Sequence, residues 1–430
     1  MNTQRISFLT FVCLLFFQVS NAQKIYTTDV SNFWKAYDSI QKNPSHKSEI
    51  IDHLFLDKKT AGLKSFMDIK KFGKDDYLTL IEKYPKFWNS IRQNTIIDQK
   101  KIKPITKAFK KFGKLYPHTS KGRIYYTIGA LKSGGTTNHE DLLLGIEKIV
   151  GDKNTDVTEF ENENAKKMFS FTTPSLLEHV TVHEFIHTFQ KEGEINVLSK
   201  AIKEGSCDFI AELALNKPFT SHYIEYGFKN YDLVKLEFKS EMFSQNFSNW
   251  FYNSHAKNPD LGYFVGYVIS KKYYENSTDK KIAIKNIIEL DFNNEIEVLQ
   301  FFAKSNYFED NKTADQILVD YKANRPKLRR IVEFENGNQN VNINTKKIQL
   351  IFSKPMHDNV SINFSKNGKE HFPLKNIAGL DNTKTVLTLE TIDLQPDTTY
   401  DFYLTDRVTK STDGYPFAET EYKISFKTEK

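Results

Sequence analysis

The chain has 430 residues, which is long enough for two or three domains with ordinary hydrophobic cores. Hydrophobic residues make up 39% and aromatic residues 14% of the sequence, a composition that excludes an intrinsically disordered chain. The net charge of +6 is small for this length, so overall charge gives no indication of a nucleic-acid-binding protein.

The N-terminus has the pattern of a secretory signal peptide. Arg5 precedes a short apolar run at 6–19, and Ser20 and Ala22 supply the small residues of a cleavage site. Residues 1–22 are therefore predicted to be removed from an exported protein in the periplasm, at the cell surface or outside a bacterial cell. The run is too short for a membrane anchor, and no later stretch is predicted to span a bilayer.

Residues 23 to about 120 are predicted to form several amphipathic helices, because apolar residues recur there at helical spacing. The most basic part runs from Lys100 to Lys114, where Phe109, Phe112 and other apolar residues separate the lysines. A face that binds a membrane or a nucleic acid is one interpretation of this part. The simpler interpretation, a helix with a solvated lysine face, is the prediction, and no nucleic-acid partner is expected.

A strand pattern follows at 124–128, where β-branched and aromatic residues dominate. The residues at 133–136 predict a turn, and 142–150 predicts a second strand or the start of a helix. Helical patterns then continue, and the longest is predicted from about Val197 to Leu215. Residues 23–325 are thus predicted to form one mainly helical domain with a small β-sheet.

The last hundred residues have a different pattern. Short alternating segments separated by turn residues lie at 348–352, 360–364, 385–389, 400–404 and 422–426. They predict a β-sandwich at 326–430, and the turn and tyrosine at 394–400 resemble those of a bacterial Ig-like domain. The whole chain is therefore predicted to have an α+β fold. An Ig-like resemblance implies little about function.

The candidate chemistry centres on His183, Glu184 and His187. Two histidines four residues apart lie on one face of a helix, so both imidazoles can bind one Zn²⁺ ion. The carboxylate of Glu184 is placed to act as general base toward a metal-activated water molecule. The pattern predicts one zinc ion per chain, and the alternative is a pair of hydrogen-bonded histidines on a structural helix.

A catalytic zinc usually has three protein ligands and one open position, so a third ligand is required. Sixteen residues separate His187 from Glu204, which lies in the next predicted helix and is the predicted third ligand. Asp208 lies one turn further on and is predicted to accept the free N–H group of a ligand histidine. Asp208 and Glu212 stay open as alternative ligands, whereas Cys207 is predicted to be a small buried residue.

An HExxH motif followed by a helix with Glu-x-x-x-Asp resembles the gluzincin clan of zinc peptidases, which includes thermolysin and the zinc aminopeptidases. The residues that carry the resemblance are His183, Glu184, His187, Glu204 and Asp208. The resemblance implies a zincin-like domain that hydrolyses peptide bonds. It also implies that an edge strand aligns the substrate backbone.

The resemblance further implies a downstream tyrosine or histidine that stabilises the oxyanion. Tyr263 is the predicted donor, with Tyr267 and His255 as alternatives, and aromatic packing is the simpler interpretation of both tyrosines. The metzincin pattern is not matched, because Gln190 stands where a glycine is required and Gly193 where the third histidine is required.

Together these features predict an exported zinc-dependent peptidase that acts on peptides or proteins, with Glu184 as general base. The edge strand is expected at 124–131 or 142–150, with Gly134 and Gly135 lining the cleft if they are not a plain turn. No Gly-x-Met-Glu-Asn segment of the zinc aminopeptidases is present, which slightly favours an endopeptidase. The alternative is a non-catalytic envelope protein with a structural zinc and an Ig-like interaction domain.

Overall fold

The computed structural model describes residues 23–117 and 122–430, so the predicted signal peptide at 1–22 lies outside the described residues. Two separate hydrophobic cores are present, one built from residues between 30 and 317 and the other from residues between 331 and 426. The first is mainly helical and the second is made of strands, which confirms the predicted α+β fold class. No helix in these described ranges is long and apolar enough to span a membrane.

The helices turn their apolar faces into the first core. In chain order the α-helices are α1 (Thr28–Lys42), α2 (Lys47–Leu54), α3 (Ala61–Lys70), α4 (Lys74–Lys83), α5 (Pro85–Thr95), α6 (Gln99–Leu115), α7 (Glu163–Ser170), α8 (Leu176–His187), α9 (Val197–Leu215), α10 (His222–Lys229), α11 (Tyr231–Glu241), α12 (Leu261–Asn276), α13 (Lys280–Ile288), α14 (Glu295–Ser305) and α15 (Ala314–Asn324). Helix α9 is central, because it packs against α6, α8 and α12.

The strands fall into two groups that belong to the two cores. The strands of the first core are β1 (Lys24–Tyr26), β2 (Arg123–Thr127), β3 (Gly135–Asn138) and β4 (Asp141–Gly145). Those of the second core are β5 (Leu328–Ile331), β6 (Lys347–Phe352), β7 (Ser361–Phe364), β8 (Leu374–Leu380), β9 (Val386–Thr391), β10 (Thr399–Thr405) and β11 (Glu421–Lys427).

The first sheet has the strand order β1-β2-β4-β3. The first three of these strands are parallel, and β3 runs antiparallel to β4 at the edge. The turn predicted at 133–136 is wrong for its second half, because Gly135 and Thr136 pair with β4. The strand predicted at 142–150 is too long, because β4 ends at Gly145 and the chain then enters a short 3₁₀-helix.

Helix α6 supports α8 from behind. The rings of Phe109 and Phe112 in α6 pack against Phe185 of α8 at centroid distances of 4.5 and 5.8 Å. Phe185 is fully buried. Residues two apart on a helix point about 200° apart, so Phe185 faces away from His183 and His187. The apolar half of α6 therefore fixes α8 in place and leaves its histidine face free.

Two glycines allow α9 and α12 to cross in backbone contact. A side-chain carbon at Gly266 would lie 1.6 Å from the carbonyl oxygen of Ala201, and one at Gly205 would lie 2.1 Å from the backbone nitrogen of Tyr267. Neither position leaves room for a methyl group. This close crossing brings the first turn of α12, with Tyr263, against the face of α9 that carries Glu204.

The second core is a seven-stranded sandwich. One sheet has the order β5-β6-β9-β8 and the other β11-β10-β7, which is the ABED and GFC arrangement of Ig-like domains. The apolar residues of both sheets share one core. At the turn before β10, the backbone N–H of Gln395 donates a hydrogen bond of 2.9 Å to the hydroxyl of Tyr400. This contact fixes the entry of the chain into β10.

The α9–α12 crossing predicts a large effect of one methyl group. We expect Gly266→Ala to lower the free energy of unfolding by about 3 kcal/mol, because the added carbon overlaps a backbone oxygen that cannot move independently. Chemical denaturation followed by circular dichroism measures this change. Gly73→Ala is the control, since a carbon there has no neighbour within 4 Å. Equal stability of the two variants would contradict the crossing.

Candidate metal centre

The two histidines of α8 approach each other through one ring nitrogen each. Their Nε2 atoms lie 3.1 Å apart, and the rings are inclined by 75°. His183 is buried and His187 nearly so. The one-turn spacing that α8 imposes is what brings the two nitrogens together.

Glu204 of α9 completes a triangle with these nitrogens. Its Oε2 atom lies 3.3 Å from Nε2 of His187 and 3.6 Å from Nε2 of His183. Burial acts to raise the pKa of Glu204, but the neighbouring His187 and His183 hold it well below its ordinary value. The carboxylate is therefore charged, and its oxygen faces both rings.

Asp208 holds the opposite side of the His183 ring. Its Oδ1 atom is 2.7 Å from Nδ1 of His183 and 2.9 Å from Nε2 of His179, and its Oδ2 atom accepts from the hydroxyl of Tyr223 at 2.9 Å. Burial acts to raise the pKa of Asp208, but His183 and His179 lower it to about 2. An ionised carboxylate only accepts hydrogen bonds, so it fixes the proton of His183 on Nδ1.

Gln190 holds the far side of the His187 ring, as Asp208 does for His183. Its Oε1 atom lies 2.7 Å from Nδ1 of His187, while its amide nitrogen donates to the carbonyl of Lys203 at 3.0 Å and to the hydroxyl of Ser206 at 2.9 Å. Those two acceptors orient the amide, so its oxygen faces the ring. Nδ1 of His187 is therefore the protonated nitrogen in the neutral ring.

Three atoms consequently converge on one place. When both rings are neutral and carry their proton on Nδ1, the Nε2 atoms of His183 and His187 are acceptors, and the Glu204 oxygen is a third. Three acceptors cannot satisfy one another, and a cation among them can. Zinc bonds of 2.0–2.2 Å in a tetrahedron place ligand atoms about 3.3 Å apart, which the three observed separations fit.

Burial acts to lower the pKa of His183, but the Asp208 carboxylate raises it well above its ordinary value. Without a cation the His183 ring therefore holds a proton on Nε2 as well, and metal binding there would release this proton. The residue set of two imidazoles and one carboxylate is one that binds zinc in hydrolytic enzymes.

The alternative ligands face elsewhere. The Glu212 carboxylate accepts from the Tyr267 hydroxyl at 3.0 Å and from the backbone N–H of Phe219 at 2.8 Å. Cys207 lies within metal-binding reach of both α8 histidines, but its Sγ atom is 3.5 Å from Nδ1 of His187, on the side of the ring that bonds to Gln190. Burial raises the pKa of the Cys207 thiol well above its ordinary value, which keeps it protonated.

The cluster of His179, His183 and Asp208 also brings metal-binding atoms together. Its contacts are those of a hydrogen-bonded carboxylate, since Oδ1 of Asp208 lies between two ring nitrogens at 2.7 and 2.9 Å. The ring of His179 in addition stacks on Phe219 at a centroid distance of 3.4 Å. This bond of His179 to Asp208 is a contact that the sequence does not predict.

Glu184 and the edge strand meet beside this centre. A side-chain carbon at Gly135 would lie 2.9 Å from Oε1 of Glu184. Glycine at this position therefore lets β3 approach the carboxylate directly. The edge strand next to Glu184 is thus β3, and not the strand at 124–131 or 142–150 that the sequence resemblance implied.

A cavity of about 290 Å³ opens next to His183, lined by His183, Glu184, Tyr223 and Tyr263 together with apolar side chains of α7, of α8 and of the segment before α10. The ring of Tyr263 lies 6.2 Å from that of His183. Burial and the Glu204 carboxylate raise the pKa of Tyr263 well above its ordinary value, so its hydroxyl stays protonated.

The two alternatives to Tyr263 do not face this cavity. The Tyr267 hydroxyl is bonded to Glu212, and His255 is exposed and lies outside the lining. Sequence reasoning did not assign a role to Gln190 or Tyr223. An amide three residues after the second histidine was the available signal for Gln190, whereas Tyr223 reaches Asp208 from a separate helix without any local motif.

Comparisons with known proteins add no assignment. No family model and no curated protein matches the chain. Among solved structures, the N-terminal part of the bacterial S-layer protein SbsC is matched at 12% sequence identity over 94% of this chain and 78% of that chain, with a TM-score of 0.18. A TM-score this low carries no argument about fold or function, so the site is judged on its own geometry.

The Gln190 contact yields a prediction. Gln190→Met removes the acceptor for Nδ1 of His187, and we expect zinc affinity to fall about 10- to 100-fold, because the ring loses its fixed orientation. Competition with a chromogenic chelator measures the affinity. Gln190→Glu keeps an acceptor oxygen for Nδ1 but loses the donor to Lys203, so its zinc affinity should lie between those of the wild type and Gln190→Met. Unchanged zinc affinity in Gln190→Met would show that Gln190 does not orient the His187 ring for metal binding.

Proposed function

We propose that this protein is an exported, zinc-dependent peptidase whose metal is held by His183, His187 and Glu204. The proposal rests on the convergence of two Nε2 atoms and one carboxylate oxygen within 3.1–3.6 Å of one another. Asp208 and Gln190 support it by fixing both rings from behind. The expected gluzincin resemblance rests on the same residues.

A zinc ion bound there supplies Lewis-acid activation of a water molecule and of a substrate carbonyl. The Glu184 carboxylate, next to the first histidine and open to the cavity, accepts a proton from the attacking water and delivers it to the leaving amine. The protonated hydroxyl of Tyr263 donates a hydrogen bond to the carbonyl oxygen as negative charge develops on it.

An extended peptide is the substrate that the surroundings favour. Strand β3 has β4 on one side and an unpaired edge on the other among the described strands, and it passes Glu184 at Gly135. A peptide that adds to this edge gains main-chain hydrogen bonds regardless of its sequence. The adjacent cavity then receives a substrate side chain among mainly apolar neighbours.

The alternative is a non-catalytic envelope protein with a structural zinc. Structural zinc sites are closed by four protein ligands. Here three ligand atoms converge, the nearest thiol faces the wrong ring nitrogen, and a cavity borders the site. These features favour catalysis.

The role of Glu184 is testable without loss of the metal. We expect Glu184→Gln to lower the rate of peptide hydrolysis by about 100- to 10,000-fold, because the general base is removed while the charge-neutral amide keeps the shape. Zinc content should stay at the wild-type level, since Glu184 is not a ligand. A peptide library read by mass spectrometry gives the rate. Wild-type activity in this variant would exclude the assigned role.

Tyr263 has a matched control one turn along the same helix. We expect Tyr263→Phe to lower kcat by about 100-fold with little change in KM, because the hydroxyl acts only on developing charge. Tyr267→Phe removes a hydroxyl that bonds to Glu212 and should leave kcat unchanged. Steady-state kinetics on one cleaved peptide distinguishes them. If kcat were the same in both variants, a hydrogen-bond donor other than Tyr263 would have to stabilise the oxyanion.

A further inference from the structure

The positive charge of the chain is concentrated on helix α6. This helix contains seven lysines and no acidic residue. The net charge of the whole chain is +6, so the rest of the sequence is close to neutral. The carboxylate of Asp98 caps the N-terminus of the helix by accepting from the backbone N–H groups of Lys100 and Lys101.

Five of these lysines share one face of the helix, which we call the lysine row: Lys100, Lys103, Lys107, Lys110 and Lys114. Their alternating spacing of three and four residues keeps them within an arc of about 80° over a length of about 21 Å. All five are exposed, and none forms an ion pair with any residue in the ranges 23–117 and 122–430.

The remaining two lysines of α6 have structural partners. The Nζ atom of Lys101 donates to the carbonyl oxygens of Asn94 and Ile96 at 2.7 and 2.5 Å. The Nζ atom of Lys111 donates to the Asn216 side chain at 2.9 Å. The helix therefore separates lysines that hold the fold from lysines that face outward together. Ordinary solvated surfaces mix both signs of charge, and the lysine row does not.

The position of the row relative to the metal centre is compatible with activity. The apolar side of α6 packs on Phe185, which faces away from His183 and His187. A flat partner bound to the lysine row therefore lies behind α8, and the cavity beside the histidines stays open.

We propose that the lysine row is a docking face for an anionic lipid surface. A linear array of point charges matches a plane of negatively charged headgroups, which requires no specific geometry. The helix is less suited to binding nucleic acid. It contains no arginine, and its Phe109 and Phe112 are buried, so no side chain of the helix is available to stack on a base.

The contact is electrostatic and does not insert into the bilayer. The apolar side of α6 is occupied by α8 and α9, so no hydrophobic face is left to enter the lipid. Binding should therefore disappear when salt is raised to about 1 M, where the Debye length is about 3 Å. An inserted amphipathic helix would resist the same salt.

The test is co-sedimentation of the full-length mature protein with vesicles of phosphatidylglycerol and phosphatidylcholine, compared with phosphatidylcholine alone. The wild type should bind only the anionic vesicles at low salt. The triple variant Lys103→Glu, Lys107→Glu and Lys110→Glu should bind about 100-fold more weakly, since each lysine near an anionic surface contributes about 1 kcal/mol. Circular dichroism confirms that the variant is folded.

A charge-matched variant separates the row from net charge. Lys35, Lys64 and Lys322 are equally exposed but lie on three different helices. Lys35→Glu, Lys64→Glu and Lys322→Glu together should leave vesicle binding at the wild-type level. Equal loss in both triple variants, absence of wild-type binding to anionic vesicles, or retention on duplex DNA but not on vesicles would each overturn the proposal.

Discussion

The candidate centre depends on one constraint: the carboxylate of Glu204 and the Nε2 atoms of His183 and His187 are packed together, within 3.1–3.6 Å of one another and largely out of water. Such a group is costly unless a positive charge lies among its atoms. The packing of the helices produces this arrangement. Helix α8 carries both histidines on the face opposite to Phe185, which packs against α6, and α9 packs against α8. A bound cation would therefore stabilise the packing of the two helices as well as supply the proposed chemistry.

Two kinds of residues surround this triangle: those that orient the two rings, and those that line the cavity beside it. Asp208 and Gln190 bind the far nitrogens of the rings, which orients both rings. On the other side, Gly135 admits an edge strand to Glu184, and the tight α9–α12 crossing brings Tyr263 to the cavity. A structural metal site requires only the residues that orient the ligands. The combination with an accessible cavity is what the proposed hydrolytic function needs.

Much of this was predictable from sequence where the signal is local. Histidines at i and i+4 place themselves on one helix face, the apolar periodicity gave the bounds of α9, and alternation gave most strands of the sandwich. The strands β1 and β3 were missed, because they are short and are stabilised by pairing with distant segments. Tyr223 was missed for the same reason, since its contact with Asp208 depends on how α10 packs.

The metal content of the purified mature protein, measured by elemental analysis for the wild type and for Glu204→Ala, tests the proposed ligand set most directly. We expect one zinc per chain in the wild type and little in the variant, because two imidazoles alone hold the ion weakly. Full zinc retention in Glu204→Ala would contradict the ligand set. Absence of zinc from the wild type, even after reconstitution, would contradict the peptidase proposal itself.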